Sequence, residues 1–509
     1  MHVTSQGLPT EGNFAALLWW AAQQWPDHPA IEEAGVPTTY QQLVGRAGAA
    51  RDLLVAHGVV PGDRVAVLLP RGADATAAIF GTLASGAIVS VLNEELRPAQ
   101  IAHVCRTLGA RALLADVTQL TPERRAVLGE TIAIDLAADG PPATAPRVPA
   151  ARAPRDAAQI TFTSGSTGAP KGVVASQSNL WAGVTCVREY LGLRSDDRIA
   201  SLLSFAFVYG FNQLTTALSV GATLIVERSV LPPVLVGALA QRRVTVMAAV
   251  PPLWQQILGV ASFRDAPWPA LRLATNAGGH LAPTFVRAIR AAQPQASLYL
   301  MYGLTEVFRS TFLPPDEVDA HPDSMGRAVP GSRVCLVRED GTECAVDEVG
   351  ELIHSGPTVA LRYWNDPAAT ALVFRPDPLA PAGTSPVTVV HSGDLARRDA
   401  EGRLFHCGRR DGVIKSLGFR ISPDEISDVI FASGQVSECA VHGIPDPARG
   451  QAIVAHVVLR PGSSLERVRI AVGRELPRHM HPTRLVEHAA LPRTPNGKID
   501  LPALRAALR

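Results

Sequence analysis

Apolar residues in the first part of the chain follow two periods in turn, one helical and one extended. The segments Asn13–Trp25 and Thr39–His57 carry apolar side chains at helical spacing, and Pro26 ends the first of them. The short apolar run Asp63–Leu69 follows a Pro-Gly pair and predicts a strand. This repetition of strand and helix predicts a mostly parallel sheet with helices on its faces.

The pattern changes twice farther along the chain. A Pro- and Ala-rich stretch at Asp139–Asp156 predicts a connecting loop, after which strands and helices alternate again at Ala222–Glu227, Val244–Val250 and Pro283–Ala292. Near residue 330, short strands separated by Gly and Asp predict a β-rich part, at Ser332–Val337 and Gly350–His354. The last hundred or so residues have a helix and strands of their own, at Pro423–Phe431 and Ala452–Leu459. We therefore predict an α/β protein with a large N-terminal domain of parallel-sheet subdomains plus a β-rich part, and a small α+β C-terminal domain.

Two uncharged stretches, Ala75–Asn93 and Ile199–Val226, are long enough to cross a bilayer. The second contains several Ser, Thr, Asn and Gln residues, and the first is interrupted by Gly81 and Gly86 before it becomes β-branched. Both are therefore predicted to be buried α/β core rather than membrane spans. The segment Met1–Gly12 lacks the basic and apolar regions of a secretory signal.

Composition excludes several classes of protein. The chain has 509 residues, with 47 basic and 46 acidic side chains, so it lacks the positive charge of a nucleic-acid binder. Its 47% hydrophobic and 18% charged residues exclude a disordered chain. The six cysteines form no C-x-x-C pair, which disfavours a disulfide framework or a zinc site and predicts a reducing, cytoplasmic location. No G-x-G-x-x-G follows the first strand, so a Rossmann dehydrogenase is not expected.

Lysine is rare in this chain, which makes each lysine a candidate for a specific role. Only Lys171, Lys415 and Lys498 occur among the 47 basic residues, and the others are arginine. A compact ammonium and a planar guanidinium differ in geometry, so the three remaining lysines are expected where arginine cannot substitute.

The strongest local motif is a strand that runs into a loop of small hydroxylated residues and then a lysine, between Ile160 and Val174. Small residues let backbone N–H groups approach phosphate oxygens, while hydroxyl groups and a lysine add donors and charge. It is not a Walker A loop, because proline precedes the lysine and glycine follows it. The predicted phosphate-binding residues are Thr163, Ser164, Gly165, Ser166, Thr167, Gly168 and Lys171.

This segment resembles the signature phosphate loop of the adenylate-forming enzymes, which include acyl- and aryl-CoA synthetases, peptide-synthetase adenylation domains and beetle luciferases. Five further motifs of that family follow in the same order, and together the six contain all three lysines. One departure is Arg362, where the family usually has glycine. The further motifs are Tyr302–Glu306, Gly350–Leu352 with Tyr363–Trp364, Ser392–Asp394, Gly408–Arg420 and Pro495–Lys498. The local sequences at Phe211–Thr216 and Phe308–Thr311 also resemble those of acyl-AMP ligases encoded beside bacterial exosortase and exopolysaccharide genes.

The resemblance implies attack of a carboxylate on the α-phosphate of ATP, which yields an acyl-adenylate and pyrophosphate. It implies that Glu306 binds Mg²⁺, Thr305 donates to the α-phosphate and Tyr302, next to Gly303, stacks on adenine. Asp394 is expected to accept from the ribose hydroxyls, with Arg409 on ribose or phosphate. A glycine-containing turn is expected to line the adenine and acyl pocket, at Asn276, Gly278 and Gly279.

The resemblance also implies two successive arrangements of a mobile C-terminal domain. Residues 1–408 would form the adenylate-forming core, and residues 409–509 would turn about a hinge near Asp411. Lys498 would bridge the carboxylate and the α-phosphate during adenylation. Rotation would then present the Lys415 face for transfer to a pantetheine thiol, either CoA or a carrier protein acting in trans.

The segment Phe207, Val208 and Tyr209 aligns with the region that recognises the acid. Amino acid-activating domains usually have an aspartate there for the substrate ammonium, and Val208 supplies no such charge. Neutral acyl or aryl acids are therefore expected over α-amino acids. Two alternatives remain: a ligase that forms an amide or ester directly from the adenylate, and a non-catalytic nucleotide-binding protein. An inactive relative would be expected to lack Lys498 or Glu306, and both are present.

Overall fold

The structure is a computed structural model. It describes residues 7–116, 121–126, 128–136, 148–163, 170–381, 383, 387–410, 412–417, 419–494 and 498–508.

The first part of the chain builds most of a seven-stranded sheet with the order β18-β8-β7-β4-β3-β5-β6, whose strands β3 to β7 are parallel. Strand β4 is buried at every position, as expected for a parallel strand covered on both faces. The elements are α1 (Ala16–Gln24), β1 (Pro29–Glu33), β2 (Val36–Thr39), α2 (Tyr40–Ala56), β3 (Arg64–Leu68), α3 (Ala73–Ala84), β4 (Ile88–Val91), α4 (Pro98–Leu108), β5 (Ala112–Ala115), α5 (Pro122–Ala126), β6 (Ile132–Asp135) and β7 (Ala157–Thr163).

The second part supplies the parallel strands of a fourteen-stranded sheet, in the order β13-β12-β11-β9-β10-β1. Side-chain caps set the starts of helices α2 and α6, at Thr39 and Ser176. The elements are β8 (Lys171–Ser176), α6 (Gln177–Leu191), β9 (Arg198–Ser201), α7 (Val208–Val220), β10 (Thr223–Val226), α8 (Pro232–Gln241), β11 (Val246–Ala249), α9 (Pro251–Leu258), α10 (Ala261–Arg264), β12 (Leu273–Asn276), α11 (Pro283–Ala292) and β13 (Ser297–Tyr302).

The third part is rich in strands, as the sequence predicts. Most of these strands extend the second sheet with antiparallel pairs, while β18 joins the edge of the first sheet beside β8. The elements are β14 (Thr311–Leu313), β15 (Ser324–Ala328), β16 (Arg333–Val337), β17 (Gly350–Ser355), β18 (Arg362–Tyr363), α12 (Pro367–Val373), β19 (Phe374–Pro376), β20 (Thr388–Arg398) and β21 (Leu404–Arg409).

The last part forms a separate five-stranded sheet with its own apolar core, which includes Ile426, Ile430 and Val468. It contacts the rest of the chain at α11, where the Phe285 and Phe431 rings lie 5.1 Å apart, edge to face. The elements are β22 (Ile414–Ser416), β23 (Phe419–Ile421), α13 (Pro423–Ala432), β24 (Val436–Asp446), β25 (Gly450–Leu459), α14 (Leu465–Glu475), a 3-10 turn (Arg478–Met480), β26 (Arg484–Glu487) and α15 (Leu501–Ala506).

The main core joins the first two sheets. One apolar cluster contains residues of both sheets together with residues of α1, α2, α3, α6 and α7. Both uncharged stretches belong to these layers: residues 75–93 form most of α3 and all of β4, and residues 199–226 form β9, α7 and β10. The predicted α/β class and the smaller C-terminal unit are confirmed. Within the described ranges, no helix has both the length and the apolar character that a bilayer crossing requires.

Candidate active site

Strands β12 and β13 run parallel, so their carboxyl ends meet at one edge of the second sheet, where ligands bind in open α/β sheets. Asn276 ends β12 and Tyr302 ends β13. The Asn276 side-chain amide donates to the Gly279 carbonyl at 3.3 Å, while its buried Oδ1 has no hydrogen-bond partner. Gly278 has a backbone φ of +81°, which residues with a side chain rarely adopt, so this turn depends on glycine. The turn leaves a free acceptor at the sheet edge.

A hydrogen-bonded network joins three predicted nucleotide-site residues. The Tyr302 hydroxyl donates to one Asp394 oxygen at 2.5 Å, and Arg409 donates to the other at 2.9 Å. Burial raises the pKa of Tyr302 well above its ordinary value, and the Asp394 charge raises it further. The Tyr302 ring also stacks on His354, at 6.0 Å between centroids. Asp394 is 3% exposed, so a buried carboxylate is held in place by a phenol and a guanidinium.

Glu306 is linked to the end of the phosphate loop through Tyr363. The Tyr363 hydroxyl donates to Glu306 Oε1 at 2.6 Å, and the Lys171 ammonium lies 5.3 Å from the centre of the Tyr363 ring. Pairing of β18 with β8 brings Tyr363 opposite Val173, close to Lys171. Burial raises the pKa of Tyr363, and the Glu306 charge raises it further. The arrangement puts a carboxylate and an ammonium on either side of one phenol.

The phosphate loop itself is described at its two ends. Thr163 pairs with Lys171 across strands β7 and β8, and its hydroxyl donates to the Lys171 carbonyl at 3.5 Å. The predicted loop residues Ser164, Gly165, Ser166, Thr167 and Gly168 lie outside the described residues, as does the predicted hinge residue Asp411.

The donor set at Glu306 fits Mg²⁺. Among the described residues, no group of three His, Cys, Asp or Glu side chains could hold an ion without further ligands. Mg²⁺ usually binds proteins through one or two carboxylates, with substrate phosphates and water as the remaining ligands. A single carboxylate that keeps free acceptor positions beside a phosphate loop meets this requirement.

The two C-terminal lysines have different surroundings. Lys498 lies within reach of the charges of Asp394 and Arg409: desolvation lowers its pKa, Arg409 lowers it further and Asp394 opposes both effects. Lys415 is exposed on β22, and its ammonium pairs with no residue that the structure describes. The structure therefore brings Lys498, and not Lys415, to the Tyr302 network. Thr305 is half-buried in the loop after β13, and its hydroxyl makes no hydrogen bond to the described residues.

A cavity that is partly open to solvent lies between helices α6 and α7 and strands β9, β11, β12 and β13. Its walls are mostly apolar. One face of α7 lines it with Tyr209, Asn212, Gln213 and Thr216, which follow helical spacing. It also reaches Thr275 and Met301, which directly precede the predicted nucleotide-site residues Asn276 and Tyr302.

The predicted acid-recognition residues are placed differently from one another. Tyr209 lines the cavity, and its hydroxyl shares a 2.5 Å hydrogen bond with Thr275. Phe207 caps the start of α7, and Val208 packs against the main apolar cluster; neither lines the cavity, and Gly279 does not line it either.

Sequence reasoning missed two features of this region. Arg309 lines the cavity and is 3% exposed, although it follows the Tyr302–Glu306 motif by only three positions. His280 Nε2 donates to the Asp428 carboxylate on α13 at 2.9 Å, which links the core to the C-terminal unit. An arginine inside an apolar segment was the available signal for the first. The second depends on tertiary contact and leaves no local signal.

Comparisons with known proteins agree with this geometry. A family model described as AMP-binding enzyme matches residues 18–364, and one described as AMP-binding enzyme C-terminal domain matches residues 425–498. Novobiocin biosynthesis protein H of Streptomyces niveus is 31% identical, over 97% of this chain and 83% of that protein. Sulfoacetate–CoA ligase of Cupriavidus necator is 30% identical, over 96% of each. Surfactin synthase subunit 2 of Bacillus subtilis is 28% identical, and the chain spans 14% of its length.

Solved structures share the fold. The anthranilate CoA ligase AuaEII in complex with anthranoyl-AMP superposes with a TM-score of 0.89 at 23% identity, over 99% of both chains. A benzoate CoA ligase from Burkholderia xenovorans LB400 superposes with a TM-score of 0.85 at 26% identity, over 97% of this chain and 99% of that one.

Proposed function

The chain belongs to the AMP-binding enzyme family of ligases, and on this premise we propose that it activates a carboxylic acid with ATP and passes the acyl group to a pantetheine thiol. The observation that carries the proposal is the position of Lys498 beside the Tyr302–Asp394–Arg409 network. In that position the Lys498 ammonium would lie where a nucleotide and an acid would meet at the sheet edge.

In the first step a carboxylate oxygen attacks the α-phosphorus of ATP, and the bond to the β-phosphate bridging oxygen breaks as pyrophosphate leaves. Both reactants are anions, so positive charge and orientation lower the barrier most. Lys498 would lie between the carboxylate and the α-phosphate, and the Thr305 hydroxyl would donate to the α-phosphate. Lys171 and the phosphate loop would hold the leaving pyrophosphate.

The remaining site residues would hold the nucleoside. The Tyr302 ring would stack on adenine, and the unpaired Asn276 Oδ1 would accept from the adenine amino group. Asp394, fixed by Tyr302 and Arg409, would accept from the ribose hydroxyls through its free lone pairs. Glu306 would hold Mg²⁺ together with the phosphates. When bound, the ion would neutralise phosphate charge.

In the second step a thiol would attack the acyl carbon, and AMP would leave. We propose that residues 409–509 turn about a hinge near Asp411 between the steps, which removes Lys498 and presents Lys415. The order is supported by Lys498, which is the lysine influenced by the Asp394 and Arg409 charges in the present arrangement. The relative named sulfoacetate–CoA ligase favours CoA as the acceptor, and a carrier protein acting in trans is the alternative acceptor. All six cysteines are free thiols, which supports a reducing, cytoplasmic setting.

The test is a panel of carboxylic acids assayed for exchange of labelled pyrophosphate into ATP, then repeated with CoA and with carrier proteins. We expect exchange that depends on the acid and on Mg²⁺, and AMP release that rises with a thiol acceptor. Release of only ADP and phosphate would overturn the proposal. Acyl transfer to amines at a rate equal to that with thiols would instead identify an amide-forming ligase.

A further inference from the structure

Arg309 carries a charge that no residue in the described part of the chain pairs with. The residue is 3% exposed and lines the cavity beside α7. Its guanidinium makes no hydrogen bond or ion pair with any residue that the structure describes, and its Nε is buried without a partner. The Tyr209 ring lies beside the guanidinium, with its centre 5.0 Å from Cζ. A buried cation without a counter-charge is costly, so some other group should pair with it.

The backbone before Arg309 is held in an uncommon conformation. Phe308 has a φ of +61°, which is unusual for a bulky residue. Its ring packs against Gly183 of α6 so closely that a Cβ there would lie 2.3 Å from a Phe308 ring carbon. The backbone after Arg309 is fixed as well, because the Ser310 amide donates to the Tyr302 carbonyl at 3.0 Å. A strained backbone conformation and a close contact with α6 thus hold the Arg309 side chain at the cavity. Strained residues of this kind cluster at functional sites.

The cavity also contains a second unpaired polar atom. Gln213 donates to the Ala200 carbonyl at 3.2 Å, but its buried Oε1 has no partner. The remaining walls are largely apolar, with Val246, Ala248 and Met301 among them. Pockets that bind organic ligands combine apolar walls with a few such polar groups.

Arg309 and Lys498 act on different surroundings. Lys498 is influenced by Asp394 and Arg409 at the nucleotide site. Arg309 instead opposes the effect of burial on Tyr190 and Tyr209, lowering pKa values that desolvation raises. The two cations therefore influence different groups, and in the proposed reaction Lys498 would contact the carboxylate that reacts.

We propose that the acid activated by this enzyme carries a second anionic group, a carboxylate or a sulfonate, which pairs with Arg309 inside the cavity. The inference rests on the proposed adenylation and narrows its substrate class. It replaces the sequence-based expectation of a neutral acyl or aryl acid. It retains the exclusion of α-amino acids, because a substrate ammonium near this guanidinium would be repelled.

The test uses pairs of acids that differ only in the second group. Terephthalate and para-sulfobenzoate are compared with para-toluate, isophthalate with meta-toluate, and adipate with hexanoate, in pyrophosphate exchange. For the framework that the cavity accepts, we expect kcat/KM to be at least about 30-fold higher for the doubly charged acid, which is the factor that a buried charge pair provides.

Arg309→Met should remove most of the preference, in kcat/KM, for the doubly charged acid over the singly charged acid. Arg309→Lys should retain part of this preference, since the charge remains without the planar fork. The control is Arg469→Met on the exposed face of α14, which should leave the ratio unchanged. If Arg309→Met does not fold, the proposal is still tested by the unaltered enzyme, through the ratio of kcat/KM for the doubly charged acid to kcat/KM for the singly charged acid.

Two failures can be told apart. Equal or better use of the singly charged acids by the unaltered enzyme would overturn the inference about Arg309 and leave adenylation standing. Absence of exchange with every acid of a broad panel would overturn adenylation, and this inference with it.

Discussion

The Tyr363 hydroxyl donates a 2.6 Å hydrogen bond to the Glu306 carboxylate. The two residues are far apart in the chain and meet because β18 adds to the edge of the first sheet. The phenol thereby fixes the orientation of the carboxylate that we assign to Mg²⁺. A partner of this kind is commonly as important to a metal site as the ligand it holds.

Two substitutions separate these roles. Glu306→Gln replaces a charged oxygen ligand with a neutral amide and should raise the Mg²⁺ concentration for half-maximal adenylation strongly. Tyr363→Phe keeps the ligand and removes its support, so we expect a smaller loss, of about 10–100-fold in metal affinity or activity. Titration of the exchange rate with Mg²⁺ measures both. An unchanged Mg²⁺ dependence in Glu306→Gln would move the metal to another residue.

The contact between His280 and Asp428 predicts a pH limit for the arrangement seen here. Burial lowers the pKa of His280, but the hydrogen bond and charge of Asp428, with Asp424 and Asp323, outweigh this and raise it from 6.5 to about 9. Because the pKa is raised, the contact stabilises this arrangement fully below about pH 6.5 and is lost as pH rises through 9.

Adenylation should therefore decline through that range in the unaltered enzyme. Asp428→Asn should weaken the contact because it removes the carboxylate charge, and the decline near pH 9 should disappear from its profile. Rates measured from pH 6 to 10 in both proteins test this. Profiles of the same shape would show that the contact does not govern the domain arrangement.

Three histidines form a chain in the C-terminal sheet. His442 and His456 are joined at 3.0 Å through their Nε2 atoms, and His456 Nδ1 meets His488 Nε2 at 2.8 Å. Burial, followed by the two neighbouring rings, lowers the pKa of His456 to about 4, and burial lowers that of His442. Since the folded state resists protonation, the stability from these rings is complete above about pH 6.5 and is lost as pH falls toward 4.

Thermal unfolding at a series of pH values tests this chain. The midpoint should fall between pH 6.5 and 4 more steeply in the unaltered protein than in His456→Leu, which has no ring to protonate at that position. His103→Leu on α4 is the control and should keep the steep part. Parallel curves for all three proteins would assign the acid sensitivity to the carboxylates instead.

Some of this architecture is predictable because the causes are local. Helix α11 was predicted at its observed bounds, since Pro283 fixes the first turn and apolar residues repeat at helical spacing behind it. The short motifs around Glu306, Asp394 and Lys498 could be identified by their resemblance to the adenylate-forming enzymes, because each predicted site residue stands within a contiguous pattern.

Other features depend on contacts that a sequence does not display. The proposed role of Arg309 follows from the lack of a carboxylate partner among the described residues. Its spatial neighbour Tyr209 belongs to a helix that is far from it in the sequence. The face of α7 that lines the cavity begins at Tyr209 rather than Val208, and a shift of one residue around a helix changes which side chain faces a ligand. Tertiary packing decides both.

We propose that one site performs two steps with two different lysines, and single-turnover kinetics measured separately for each step test this proposal. Removal of a preorganised charged donor usually costs roughly 10²–10³-fold, so Lys498→Ala should slow adenylate formation by about that factor and spare acyl transfer from a supplied adenylate. Lys415→Ala should do the reverse, and Lys498→Arg should remain impaired because a planar fork does not replace a compact ammonium. Equal losses in both steps for the Lys498 and Lys415 variants would contradict the two-step account.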